Sequence, residues 1–164
     1  MTGKKTTKQA AGTTGKQAAS QAGIGIITEL DRYLFGEGTH YEIYEKLGAH
    51  VATVDGKRGV YFAVWAPHAA AVSVVGDFNR WDPEANPMKV LATSGIYETF
   101  VPDLGAGQLY KFAITTAAGK VLYKADPYAQ YAEFRPGTAS IVVDASDFRW
   151  GDDAWMKKRE TVNP

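Results

Sequence analysis

The sequence contains no cysteine, which excludes disulfides and thiolate metal sites and favours a reducing compartment, the cytoplasm. It also lacks any apolar run near the roughly 18 residues of a membrane span. The first group of large aliphatics, Ile24, Ile26 and Ile27 around Gly25, is too short for the ~7–15-residue core of a signal peptide, so no membrane partner is expected. Histidine is scarce: His40, His50 and His68 lie ten and eighteen residues apart, with no helix-face spacing and no cysteine partner. They read as surface or turn residues, and no metal or cofactor is expected. There is no Gly-x-x-x-x-Gly-Lys loop and no Gly-x-Ser-x-Gly elbow. Acid pairs such as Asp144 with Asp147, or Asp152 with Asp153, read as solvated faces or helix caps rather than glycosidase acids. No residue is assigned a catalytic role.

What is present suffices for one apolar core, since 45% of the 164 residues are apolar and 12% aromatic. Net charge is zero, but Lys4, Lys5, Lys8 and Lys16 fall in the first 27 residues, which hold no acid. The remainder carries 14 basic and 18 acidic residues, a net of −4, the wrong sign for a phosphate-backbone footprint, so nucleic acid is not an expected partner. Residues 1–27, rich in Gly, Ala, Thr, Gln, Ser and Lys without an aromatic, are expected to form a disordered basic tail. Residues 28–50 are expected to form a short helical lead-in, with Thr28 capping a helix over 29–35 and Gly48 closing the segment.

Beyond Gly48 the apolar period shifts to two. Val51–Val54 and Val60–Trp65 flank Asp55-Gly56-Lys57-Arg58-Gly59, a hairpin signal. Further strands are predicted at Ala71–Val75, Ile96–Val101, Leu109–Thr115, Lys120–Lys124 and Ser140–Asp144. About seven short antiparallel strands with turns between them predict an all-β fold, an immunoglobulin-like β-sandwich over residues 51–145. Residues 146–164, with Phe148, Trp150 and Trp155 among charges, read as an exit segment that packs on something without forming a domain.

The chemically informative stretch is Val75-Gly76-Asp77-Phe78-Asn79-Arg80-Trp81-Asp82, where a strand runs into a loop with two aromatics separated by polar residues. A pyranose ring has a C–H face that packs on an aromatic and a hydroxyl rim that needs donors and acceptors. Trp81 beside Asn79 offers both, and Lys111, alternating with Tyr110 and Phe112, adds a donor from the sheet. The competing reading makes Phe78 and Trp81 core plugs at one end of the sandwich.

These residues lead to a resemblance. The runs Tyr33-Leu34-Phe35-Gly36-Glu37-Gly38-Thr39-His40-Tyr41, Glu45-Lys46-Leu47-Gly48-Ala49-His50 and Gly59-Val60-Tyr61-Phe62-Ala63-Val64-Trp65-Ala66-Pro67 resemble the start of bacterial glycogen branching enzymes. The likeness continues through Val74–Asn79 with Trp81-Asp82, Leu109–Phe112, Lys124–Ala129 and Arg135–Ser140. It implies a carbohydrate-binding family 48 sandwich that precedes an α-amylase-type barrel. In the family that barrel cleaves α-1,4-glucan, holds it on a carboxylate and transfers it to a 6-hydroxyl, forming the branches of glycogen. A (β/α)8 barrel takes at least about 200 residues. Only 137 follow residue 27, so the chain is expected to bind or dock without catalysing. In glycan-binding kinase subunits with this module, the tryptophan after Phe-Asn and the lysine of Tyr-Lys-Phe contact sugar, and these match Trp81 and Lys111. Where those modules have a second tryptophan this sequence has Val121-Leu122-Tyr123, and Tyr123 stands in as the stacking face. The implied glycan-binding set is Trp81, Lys111, Asn79 and Tyr123, with weak affinity for α-1,4-linked glucan. The alternatives are a structural domain docking on the barrel, with Trp150 and Trp155 among its contacts, and a glycogen-sensing module like the kinase β subunit.

Overall fold

Two antiparallel sheets form the sandwich, in a computed structural model that describes residues 23–146, 149 and 151–162. The first sheet contains β1 (Gly48–Val54), β2 (Lys57–Trp65), β5 (Ile96–Pro102) and β4 (Lys89–Val90), in the order β1-β2-β5-β4. The second contains β3 (Ala69–Gly76), β6 (Leu109–Thr116), β9 (Ser140–Ile141) and β8 (Tyr131–Ala132), in the order β3-β6-β9-β8, with β7 (Val121–Lys124) pairing the rest of the β6 edge. The expected immunoglobulin-like sandwich is therefore what forms, with two additional two-residue strands, β4 and β8. The β1–β2 hairpin closes on Asp55 and Gly56, both left-handed at φ 50° and 77°, as a two-residue primed turn requires.

Period-two patterning sorts side chains between faces. Val60, Phe62 and Val64 of β2 point inward and meet Val72, Val74, Tyr110, Phe112 and Val142 of the second sheet. The alternate residues Tyr61 and Ala63 are equally buried, but in a second cluster with Ile27, Ile43, Leu47, Leu91 and Ile96. β2 is apolar on both faces because both are covered, one by the opposite sheet and the other by the lead-in.

The lead-in is thus a third layer. Helix α1 (Glu29–Gly36) begins with a capping box in which Thr28 Oγ1 accepts from Asp31 N–H at 3.2 Å and Asp31 Oδ2 accepts from Thr28 N–H at 2.7 Å. Asp31 also accepts from Lys46 Nζ at 2.6 Å and from His40 Nε2 at 2.8 Å. Burial would raise its pKa, but these bonds from Lys46, Thr28 and His40 outweigh it and hold the carboxyl well below the usual carboxylate range. Upstream, Gly23–Ile27 pack on the first sheet: Ile27 is buried, and Ile24 N–H donates to the buried Glu98 at 2.6 Å. Ordered structure therefore starts before residue 28, within the stretch read as tail, because the outer face of β2 and β5 is apolar and takes up the isoleucines. The rest of the expected tail, residues 1–22, lies outside the described residues, as do Asp147, Phe148, Trp150, Asn163 and Pro164. In the exit segment α2 (Asp153–Val162) is a helix, and Trp155 is exposed with the Arg159 guanidinium 5.1 Å from its ring centre. No helix among the described residues is long and apolar enough to cross a membrane.

A second buried acid behaves oppositely to Asp31. Asp126 accepts from Tyr110 OH at 2.6 Å and Tyr128 N–H at 2.8 Å, while its own N–H donates to Ser140 Oγ at 2.9 Å. Burial outweighs these bonds and raises its pKa. A raised folded-state pKa favours the protonated form, so the stability it contributes is complete below the unfolded value and is lost as pH rises through the folded one. Urea midpoints of the chain should accordingly contain a gain between neutral pH and about pH 4 that Asp126→Asn lacks. An unchanged pH slope in the variant would contradict this assignment.

Candidate functional site

The loop after β3 is built to place one indole. Gly76 has no room for a side chain: a Cβ there would fall on the carbonyl oxygen of Leu109 and come 2.5 Å from the Phe78 ring. Asp77–Asn79 then form a single 3-10 turn. Phe78 turns inward and stacks on Phe62, centroids 6.2 Å apart. Trp81 belongs to neither apolar cluster and is half-buried. The two aromatics of the loop thus separate, Phe78 as a core plug and Trp81 as a surface residue.

Arg80 and Trp81 are both left-handed, at φ 57° and 61°, a conformation costing about 1 kcal/mol or more per non-glycine residue. It is held by Arg80 N–H to Asp77 O at 3.2 Å, Trp81 N–H to Gly76 O at 2.9 Å, and indole Nε1–H to Asp77 Oδ1 at 2.7 Å. Asn79 locks the same loop: Nδ2 donates to Val74 O at 2.9 Å and Asn86 Oδ1 at 2.8 Å, and Oδ1 accepts from Gly76 N–H at 2.9 Å. Both amide hydrogens are engaged, which leaves Asn79 a single acceptor lone pair for any ligand. Its partners Val74 and Asn86 are remote enough in sequence that spacing could not show this.

Lys111 stands opposite Val75 in the β3–β6 ladder, one residue from the Gly76 that anchors Trp81. Tyr110 and Phe112 point into the core, so Lys111 points to the outer face of the second sheet. Tyr123 pairs with Ala113 and shares that face, diagonally from Lys111. Tyr123 is half-exposed, and Lys111 Nζ donates to Thr138 Oγ1 at 2.6 Å with two hydrogens to spare. On this face Ser73, Val75 and Ala113 are buried, and Tyr123 is exposed beside them.

The other candidates are engaged in structure. His40 bonds Asp31 and His50 Nε2 lies 3.0 Å from Leu47 O. Asp144 is held below the usual carboxylate range by Ser146 and by Arg58, whose guanidinium is 2.9 Å away. No group of three metal-ligating side chains occurs among the described residues. Sequence reasoning missed one further feature, a cleft of about 500 Å³ between α1 and the end of β2, lined by Arg32, Phe35, Glu37, Trp65 and Ser94. Trp65 is half-exposed there and meets Phe35 edge-on at 5.7 Å. Its outward place was already implied by the alternation of β2.

Residues 46–129 match the family model described as carbohydrate-binding module 48, isoamylase N-terminal domain. Among curated proteins, the chain is similar to a 1,4-alpha-glucan branching enzyme GlgB of Butyrivibrio fibrisolvens, 58% identical over 80% of this chain and 21% of that protein. A GlgB of Synechococcus sp. (strain JA-2-3B'a(2-13)) is 53% identical over 86% and 18%. The chain spans about a fifth of the length of these relatives. Among solved structures, a maltotriose complex of PulA from Klebsiella pneumoniae matches 66% of this chain and 12% of its own, at TM-score 0.51 and 27% identity. A putative alpha amylase from Salmonella typhimurium, at TM-score 0.51 and 22% identity over 67% of this chain and 17% of its own, shares the fold.

Proposed function

The chain belongs to the carbohydrate-binding module 48 family, and on that footing we propose that it is an α-1,4-glucan-binding accessory module of a cytoplasmic glycogen branching enzyme. The sugar lies on the outer face of the second sheet, against Trp81, Lys111 and Tyr123. The observation that carries this reading is the separation of the two loop aromatics: Phe78 plugs the core while Trp81 stays outside it, in a strained turn fixed by bonds to Gly76 and Asp77. Strain of that kind persists only where surrounding bonds over-determine it, and it is found at ligand clamps. Lys111 supplies donors to sugar hydroxyls, Tyr123 a second apolar face, and Asn79 holds the loop. The catalysis of the parent enzyme belongs to the remaining four-fifths of proteins of that length.

Titrating the chain with maltoheptaose while following tryptophan emission tests the reading. A saturable change supports it, and a flat response at millimolar sugar contradicts it.

One observation favours docking as a second role. Leu30 and Tyr33 on α1, with Tyr41 and Tyr44 after it, are exposed, and the layer they belong to covers the opposite side of the sandwich from Lys111. Exposed apolar side chains gathered on one layer mark an interaction surface, and in this reading they face the catalytic barrel. The two roles use opposite faces and are compatible.

A further inference from the structure

Resting on the glucan-binding reading above, we propose that the sugar surface continues across the second sheet from Lys111 to Tyr131, which forms an outer contact used only by longer glucans. Strand register places the residue. Leu109 pairs with Ile141, and Ile141 with Tyr131, so these three form one row across β6, β9 and β8. The alternate row, Tyr110 with Ser140, points into the protein, where Tyr110 is core and Ser140 buried. The Leu109 row therefore points outward, as does Lys111 two residues along the same strand. Tyr131 is 51% exposed and belongs to neither apolar cluster.

The row makes a line with the residues already assigned. Trp81 is anchored at the Gly76–Tyr110 pair, Lys111 lies next to it on β6, and Tyr131 lies two strands further at the level of Leu109. From β3 to β8 is three strand spacings, about 14 Å. A chain seated on Trp81 and Lys111 and running across the strands reaches Tyr131 only if it extends by several rings. The segment carrying Tyr131 is also tied to the proposed site. Lys111 Nζ donates to Thr138 Oγ1 at 2.6 Å, and Glu133 bridges the β8–β9 connection through Ala139 N–H to its carboxylate at 2.8 Å. Glu133 N–H to Ala139 O at 3.0 Å completes that closure. The backbone carrying Tyr131 is thus fixed before any ligand arrives, which lowers the entropy cost of using it.

Dissociation constants of maltotriose and maltoheptaose for the whole chain, its Tyr131→Ala variant and its Tyr131→Phe variant test the proposal. Tyr131→Ala should bind maltotriose as the parent does and lose about fivefold in maltoheptaose affinity. Tyr131→Phe should keep most of it, and the unfolding midpoints should agree because the ring is outside the core. Saturable parent binding with unchanged maltoheptaose affinity in Tyr131→Ala overturns the Tyr131 assignment alone. A parent chain that binds neither sugar overturns the glucan-binding reading and this extension with it.

Discussion

Trp81→Ala is expected to lower maltoheptaose affinity by about tenfold or more while leaving the unfolding free energy within about 1 kcal/mol of the parent value. The indole is half-buried and lies outside both clusters, so its removal opens no cavity between the sheets. What is lost is a flat apolar face and the single bond from Nε1 to Asp77. The backbone bonds from Arg80, Trp81 and Asp82 that fix the turn remain, so the loop keeps its path. The two readings of this residue make opposite predictions: a core plug would lose about 3–5 kcal/mol of stability on truncation, and a sugar-facing indole loses affinity at constant stability. Equilibrium unfolding and sugar titration on the same variant separate them.

Phe62→Ala should show the contrasting pattern, a loss of about 3–5 kcal/mol that is a large fraction of the 5–15 kcal/mol typical of a domain. Phe62 is fully buried, stacks on Phe78 and meets Tyr110 edge-on with centroids 5.2 Å apart. These neighbours belong to a strand ladder and to a turn held by hydrogen bonds, so the space cannot collapse and the cavity term is added to the lost transfer energy. Because Phe78 lies three residues before Trp81, loosening it also loosens the loop, and sugar affinity should fall together with stability. A urea midpoint close to the parent's would contradict the packing described for this end of the sandwich.

Strands of seven or more residues were legible because each carries enough period-two pattern to fix a face, as in β2, β3 and β6. The strands β4 and β8 contain two residues each, too few for any period, and exist only because β5 and β9 offer edges to pair with. The packing of Ile24 and Ile27 was hidden by their glycine-rich surroundings. Its trace lay in the partner instead, since the apolar residues on both faces of β2 required a second covering layer. At the proposed site, the alternation of β6 was enough to point Lys111 away from the core, whereas residue type left Trp81 open between core plug and surface residue. It could not show that the Asn79 amide is engaged by Val74 and Asn86 within the loop. It could not reach Tyr131, whose place on the face of Lys111 depends on two successive pairings of very short strands. The helix α2 was read only as an exit because its few apolar residues sit among charges without a continuous stripe.

The amide chemical-shift map of the isotope-labelled chain with maltoheptaose tests the central claim most directly, since it reports where sugar sits as well as whether it binds. The account predicts shifts concentrated at residues 76–82, Lys111, Tyr123 and their strand neighbours, with the lead-in unmoved. Shifts confined to α1 and Trp65, or none at saturating sugar, would contradict it.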